Sequence, residues 1–270
     1  MNKDFKPILA LELPDEYKIP LNTLLSAVEH QDLTPELLNI SEEVLTLNPS
    51  NHIIWNLRKT LIQKFNHSFD EERIFLDQLF DDEIKNYQLW NHRRWLVTTS
   101  NDDSKEKEFI EKILSADLKN IHCWTYRMFC VKHFNWDHTE ELRFAELCLE
   151  DDIRNNSAWS YRSNFVEKDE KEVSYVIQAI NTDSENESAW NWLAFLLENN
   201  KKFLEIEEVK EFIEKFVDPK SDVFSVFGAV LFFSLKNQGI HLNYDSSEIV
   251  EKSSRMDPKR RSFYEFLAQN

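Results

Sequence analysis

The stretch that decides the fold is KNYQLWNHRRW, Lys85–Trp95. It gathers two tryptophans, a histidine and three cations in a chain whose formal net charge is −17. Its pattern recurs as NHIIWNLR from Asn51, NYQLWNHR from Asn86, NIHCWTYR from Asn120, NNSAWSYR from Asn155 and NESAWNWL from Asn186. Each copy has Asn, three residues, then Trp. The tryptophans are Trp55, Trp90, Trp124, Trp159 and Trp190, spaced by 35, 34, 35 and 31 residues. Arg stands three residues after the first four, at Arg58, Arg93, Arg127 and Arg162; Leu193 takes that place in the fifth. A fixed period of this length is that of stacked helical hairpins.

Each copy makes sense as two helices. The Asn suits an N-cap, because its side chain can accept a hydrogen bond from an otherwise unpaired backbone N–H. Trp and Arg then share one face of the helix that follows. The companion helix shows apolar residues at helical spacing: Phe109, Ile110, Ile113 and Leu114 in one copy, Leu142, Ala145, Leu147 and Leu149 in the next. Seven residues before each Trp stands Asn48, Glu83, Asp117, Asp152 or Asp183. The expectation is that the tryptophans are core and that the arginines pair with these turn acids. The residue just before the capping Asn is Ser50, Lys85, Lys119, Arg154 or Glu185, a cation in the three middle copies. Equivalent positions of a solenoid line one edge, which also presents helix N-termini, so the edge reads as an anion site. The competing reading is three solvated cations.

Composition narrows the rest. With Lys+Arg 32 against Asp+Glu 49, the chain repels nucleic acid and anionic membranes. Only 2 of 270 residues are glycine, which argues against strand-rich folds and for an all-α protein. Cys123, Cys130 and Cys148 fit no metal spacing and read as buried thiols of a reducing compartment. The opening MNKDFKPILALELPDE lacks the layout of a secretory signal, and VFSVFGAVLFFSL from Val223 is short for a membrane span. A cytoplasmic chain without membrane insertion is expected. No metalloprotease, phosphate-loop or dinucleotide motif occurs, and His133 and His138, five apart, do not share a helical face. No metal site is expected in this chain. A self-contained active site is not visible, so any catalysis would use a site completed by another subunit.

The repeat resembles that of protein prenyltransferase α subunits. KNYQLWNHRRWLV, DLKNIHCWTYR, DDIRNNSAWSYR and NESAWNWL look closest to the α subunit shared by protein farnesyltransferase and geranylgeranyltransferase type I. The resemblance covers about residues 40 to 200, and DPKRRSFYEF from Asp257 looks like a degenerate last copy with Tyr264 near the aromatic position. It implies an all-α fold, a right-handed α-α superhelix in which helical hairpins form a crescent around a β subunit. That β subunit, an obligate partner, would hold zinc, with magnesium a second candidate ion of the holoenzyme. The activity implied is transfer of a farnesyl or geranylgeranyl group from its diphosphate to the cysteine of C-terminal Cys-a-a-X protein substrates. Lys85 matches the family lysine that faces the diphosphate, and Tyr87 a tyrosine beside it. Gln88 matches the glutamine that meets the peptide carboxylate. Asn120 and His122 match residues near the isoprenoid diphosphate. Lys85, Tyr87 and His122 are thereby the catalytic candidates. Ile121 stands where the family often has tyrosine, so no role is carried to it.

Three segments are expected: an N-terminal arm and first helix at 1–34, five hairpin repeats at 35–200, and degenerate helical repeats at 201–270. Within the last, EIEEVKEFIEKF from Glu205 reads as helix without a clear register. Two other functional readings compete. One is the α subunit of Rab geranylgeranyltransferase, which shares the repeat. The other is a tetratricopeptide-like scaffold without enzymatic activity, whose period also fits.

Overall fold

The structure, a computed structural model, describes residues 13–240 and 242–269. The expected N-terminal arm lies outside the described residues at positions 1–12. Among the described residues every regular element is a helix, as the period and the scarcity of glycine predicted. The helices gather into two compact units, one up to Cys130 and one from Val131 onward. The first holds α1 (Asp15–Glu29), α2 (Leu37–Leu47), α3 (His52–Phe65), α4 (Phe69–Phe80), α5 (Tyr87–Ser100), α6 (Glu106–Ala116) and most of α7 (Ile121–Phe134). The second holds α8 (His138–Asp151), α9 (Asn156–Arg162), α10 (Glu170–Thr182), α11 (Glu187–Asn199), α12 (Glu207–Val217), α13 (Val226–Asn237), α14 (Ser246–Met256) and α15 (Arg261–Gln269). Successive helices pair as hairpins, α2 with α3 and α4 with α5 in the first unit, α8 with α9 and α10 with α11 in the second.

Each letter of the repeat has a physical task. The Asn side chains cap their helices, Asn51 accepting from the N–H groups of Ile53 and Ile54, Asn86 from Gln88, Asn120 from Cys123, Asn155 from Ala158 and Asn186 from Ala189. The amide ends of three reach the neighbouring copy: Asn86 Nδ2 donates to Ser50 Oγ at 3.1 Å, Asn120 to the Ile84 carbonyl at 3.2 Å, and Asn186 to the Ile153 carbonyl at 2.7 Å. The five tryptophans are buried, as expected. Their indole N–H groups donate back to carbonyls of their own entry turns, at Pro49, Ile84, Leu118, Ile153 and Ser184, over 2.7–2.9 Å. A bulky ring fills the inter-helix space while its one polar atom stays satisfied.

Arg58, Arg93 and Arg162 do not pair with the turn acids. Their partners are buried glutamates on the helix that follows. Arg58 meets Glu72 through Nε at 2.9 Å and Nη2 at 2.7 Å, and its Nη1 reaches the Leu38 carbonyl and Ser41 Oγ. Arg93 Nε donates to Glu106 at 2.7 Å, and Arg162 donates to Glu172. A second donor, twenty residues downstream, closes each site: His92 on Glu72, Tyr126 on Glu106, Tyr161 on Glu141 and Trp192 on Glu172. The reason lies in direction along the helix. The Arg sits a turn beyond the Trp and points into the core, whereas the turn acids stay at the helix mouth. There Asn48, Asp117, Asp152 and Asp183 accept the backbone N–H two residues on and shape the turn.

Other expectations refine in the same way. Phe109, Ile110, Ile113, Leu114, Ala145 and Leu149 are buried, but Leu142 is half-buried and Leu147 is exposed, because α8 turns that position outward. The Val223 run forms buried α13, and the Glu205 segment forms α12. The cysteines are buried thiols, and burial pushes Cys130 up to about 12. Tyr264 is buried on α15, with its hydroxyl on Asp257 at 3.2 Å. Glycine is rare because Asn takes its place at helix ends. Asn66, Asn101 and Asn135 end α3, α5 and α7 in the left-handed region, with φ of 52°, 50° and 54°. Gly228 remains because α13 crosses close to α12: a Cβ there would lie 2.6 Å from the Phe216 carbonyl oxygen.

Two stability outcomes follow. Gly228→Ala lowers the unfolding free energy by about 1–3 kcal/mol in urea titration, since backbone must move to admit the methyl. Burial pushes the Glu72 carboxyl up, but hydrogen bonds and charge from His92 and Arg58 outweigh it and hold it at about 2, below its usual 4.5. Burial also lowers His92, against the pull of Glu72, from its usual 6.5. In both groups the unfolded state binds protons more readily, so stability falls with pH. Loss begins below about 6.5 through His92 and deepens from 4.5 down to about 2 through Glu72. Glu72→Gln flattens the acid part of that profile and leaves Arg58 uncompensated, at a cost of about 3–5 kcal/mol at pH 7 by denaturant unfolding.

Candidate functional site

The five candidate residues all belong to the first unit, where α5 and α7 begin. Lys85 precedes the cap Asn86, and Tyr87 and Gln88 occupy the first turn of α5. Asn120 caps α7, and Ile121 and His122 form its first turn. One period separates the two turns, so the solenoid sets them side by side. The Tyr87 and His122 rings meet edge to face with centroids 4.4 Å apart. Tyr87 is 70% exposed, and Gln88 and His122 are half-buried.

Beside them runs a groove of about 280 Å³, lined in part by Tyr87, Asn91, Arg94, His122, Thr125 and Phe129. Among the described residues lining it there is no Asp or Glu. In so acidic a chain, that leaves a local surface where an anion meets little repulsion. Arg94 lies in this groove with its guanidinium 4.1 Å over the Phe129 ring. The edge thus offers an ammonium, a phenol, an imidazole and two helix N-termini to one anionic ligand.

Asn120 is placed differently from its companions. It is buried, its Oδ1 accepts from Cys123 N at 3.1 Å, and its Nδ2 donates to the Ile84 carbonyl. Both ends of the amide are in use inside the protein. Lys85 is 72% exposed at its side chain and pairs with Asp117 of the next turn, Nζ to Oδ2 at 3.1 Å. The second unit repeats this device: Arg154 Nη2 donates to Asp183 Oδ1 at 2.7 Å. Asp117 and Asp183 therefore meet edge cations, while Arg58, Arg93 and Arg162 reach buried glutamates. The sequence held that signal, since the acid columns and cation columns share one period; composition with 49 acids hid it. Among the described residues no group of three His, Cys, Asp or Glu side chains comes together that could hold a metal. Nor is any described helix long and apolar enough to cross a membrane.

Comparison with known proteins bears on the whole pattern. The family described as "Protein prenyltransferase alpha subunit repeat" matches residues 35–65, 69–100, 103–134, 138–169 and 169–200. Its repeat starts with the glutamate-bearing helix and ends with the Asn-Trp-Arg helix, so α5 closes one unit where the motif alone suggested an opening. The chain is similar to the Arabidopsis thaliana protein farnesyltransferase/geranylgeranyltransferase type-1 subunit alpha, 28% identical over 76 residues, covering 28% of this chain and 23% of that one. It is 33% identical over 69 residues to the Schizosaccharomyces pombe protein of that description, covering 26% and 24%. It is 29% identical over 87 residues to the geranylgeranyl transferase type-2 subunit alpha of Saccharomyces cerevisiae, covering 30% and 27%. The matched segment spans about a quarter of the length of these curated relatives. Among solved structures, a chain of Candida albicans protein geranylgeranyltransferase-I complexed with GGPP superposes with a TM-score of 0.83 at 25% identity, over 100% of this chain and 95% of that one.

The placements separate under mutation. Asn120→Ala removes a cap and a bond between copies, and lowers the unfolding free energy by about 1–2 kcal/mol. Lys85→Ala and Gln88→Ala stay within about 0.5 kcal/mol of the parent in the same denaturant titration.

Proposed function

Because the chain belongs to the protein prenyltransferase α subunit family, we propose that it is the α subunit of a heterodimeric farnesyltransferase / geranylgeranyltransferase type I. In this reading a β subunit completes the site. The observation that carries it is the meeting of Tyr87 and His122 beside a groove whose described lining holds no carboxylate, with Lys85 and Gln88 in the turn that opens α5. The substrates are farnesyl or geranylgeranyl diphosphate and proteins ending in Cys-a-a-X.

The chemistry asks for what this edge has. As the substrate thiolate attacks C1 of the isoprenoid, the bond to the diphosphate breaks and negative charge builds on the leaving group. The Lys85 ammonium meets that charge more strongly as it grows, which stabilises the transition state more than the bound substrate. Tyr87 donates a hydrogen bond, held by the edge of the His122 ring. Gln88 binds the peptide carboxylate through a neutral amide. Zinc, with magnesium a second candidate, belongs to the β subunit here, and zinc bound there keeps the substrate cysteine as thiolate. Trp90 and Arg93 act only in the scaffold.

A second reading has its own observation. Relatives described as geranylgeranyl transferase type-2 subunit alpha match as closely as the type-1 ones. The position of Gln88 favours the Cys-a-a-X enzymes, because a free peptide carboxylate needs such a donor. The test co-expresses the chain with candidate β subunits and supplies labelled isoprenoid diphosphate with either a Cys-a-a-X peptide or a Rab protein and its escort. Transfer to the peptide, with kcat reduced roughly 30- to 1,000-fold in Lys85→Ala, is expected. Transfer only to the Rab protein would move the chain to the second reading. A stable chain that ignores every β subunit would leave a scaffold.

A further inference from the structure

We infer that Asp117 is a positioning residue that competes with the diphosphate for Lys85 and thereby weakens retention of the product diphosphate. The inference rests on the reading of Lys85 given above. Asp117 is not a drifting surface acid. Its Oδ1 accepts the Lys119 N–H at 3.2 Å, its backbone N–H donates to the Ile113 carbonyl, and its own carbonyl accepts from Asn120. The turn is thus pinned at three points, and the remaining oxygen, Oδ2, is aimed at Lys85 Nζ, 3.1 Å away. The lysine is the mobile partner, 72% exposed against 26% for the aspartate.

A fixed anion facing a flexible cation does two things. It holds the ammonium beside the turn that opens α7 without a ligand present, which reduces the number of orientations lost on binding. It also sets a rival for the same ammonium. An exposed ion pair of this kind is weak, so an incoming diphosphate of higher charge displaces it. After transfer, the carboxylate reclaims the lysine and repels the doubly or triply charged leaving group. The groove lined by Tyr87 and His122 has no carboxylate among its described residues, and the acid in contact with Lys85 is Asp117. The Arg154–Asp183 pair shows that the geometry is a property of the repeat, which supplies an internal control.

The experiment measures inhibition of the assembled enzyme by inorganic pyrophosphate in Asp117→Asn, with Asp183→Asn and Lys85→Ala beside it. The asparagine keeps the acceptor for Lys119 N–H, so the turn survives, and an unchanged melting temperature checks this. The expected result is a Ki for pyrophosphate, and a KM for isoprenoid diphosphate, about fivefold lower in Asp117→Asn, with Asp183→Asn unchanged. Asp117→Glu returns both values toward the parent. A Ki in Asp117→Asn that stays level or rises, while Lys85→Ala weakens pyrophosphate tenfold or more, overturns the competition and leaves the role of Lys85 intact. A Ki indifferent to Lys85→Ala as well removes Lys85 from the diphosphate, and both readings fall together.

Discussion

The interaction on which the rest depends is the buried carboxylate between helices. Glu72 sits among an Arg from the preceding helix and a His from the following one, and Glu106 among Arg73, Arg93 and Tyr126. Burying a lone carboxylate is prohibitive, and burying a lone guanidinium nearly so. Each becomes tolerable only when the helices stand in one register that brings the donors together. The ion pairs therefore act as a registration device: a hairpin shifted by a turn would strand charge in the core. Apolar packing supplies the driving force, and the glutamates restrict how that packing can be arranged.

This division of labour leaves the helix mouths open for chemistry. Asn, Trp and Arg are spent on caps, turns and core, so the first-turn positions between them can vary from copy to copy. In two neighbouring copies those positions hold Tyr87, Gln88 and His122, next to Lys85. The same positions elsewhere hold His52 and Ile53, or Asn156 and Ser157, with no shared chemistry. The proposed site uses the two copies whose variable residues stand side by side, Tyr87 against His122.

The sequence made the architecture legible to an unusual degree because the repeat samples it five times. The Asn offset alone identified the caps, and the Trp column identified the core. The glutamate column was equally regular, Glu72, Glu106, Glu141 and Glu172, with the spacings of the tryptophans that follow. It is masked in the sequence because acids abound and burial is not visible in a string. The turn acids drew the arginines by proximity along the chain, whereas helix geometry sends the arginines inward. The left-handed Asn66, Asn101 and Asn135 were hidden likewise, since Asn is as common in caps and turns as at helix ends.

What the sequence determined by itself is the periodic part: helices, hairpins, core tryptophans, and an edge where Lys85, Tyr87, Gln88 and His122 fall at matching offsets. Periodicity carries such information because one side-chain face repeats with the helix turn and one hairpin repeats with the solenoid. Tertiary structure alone decided the pairings across copies: Arg93 with Glu106, Lys85 with Asp117, Tyr87 against His122. The pairing of charges depends on distances and burial between different helices, and those exist only once the helices have packed.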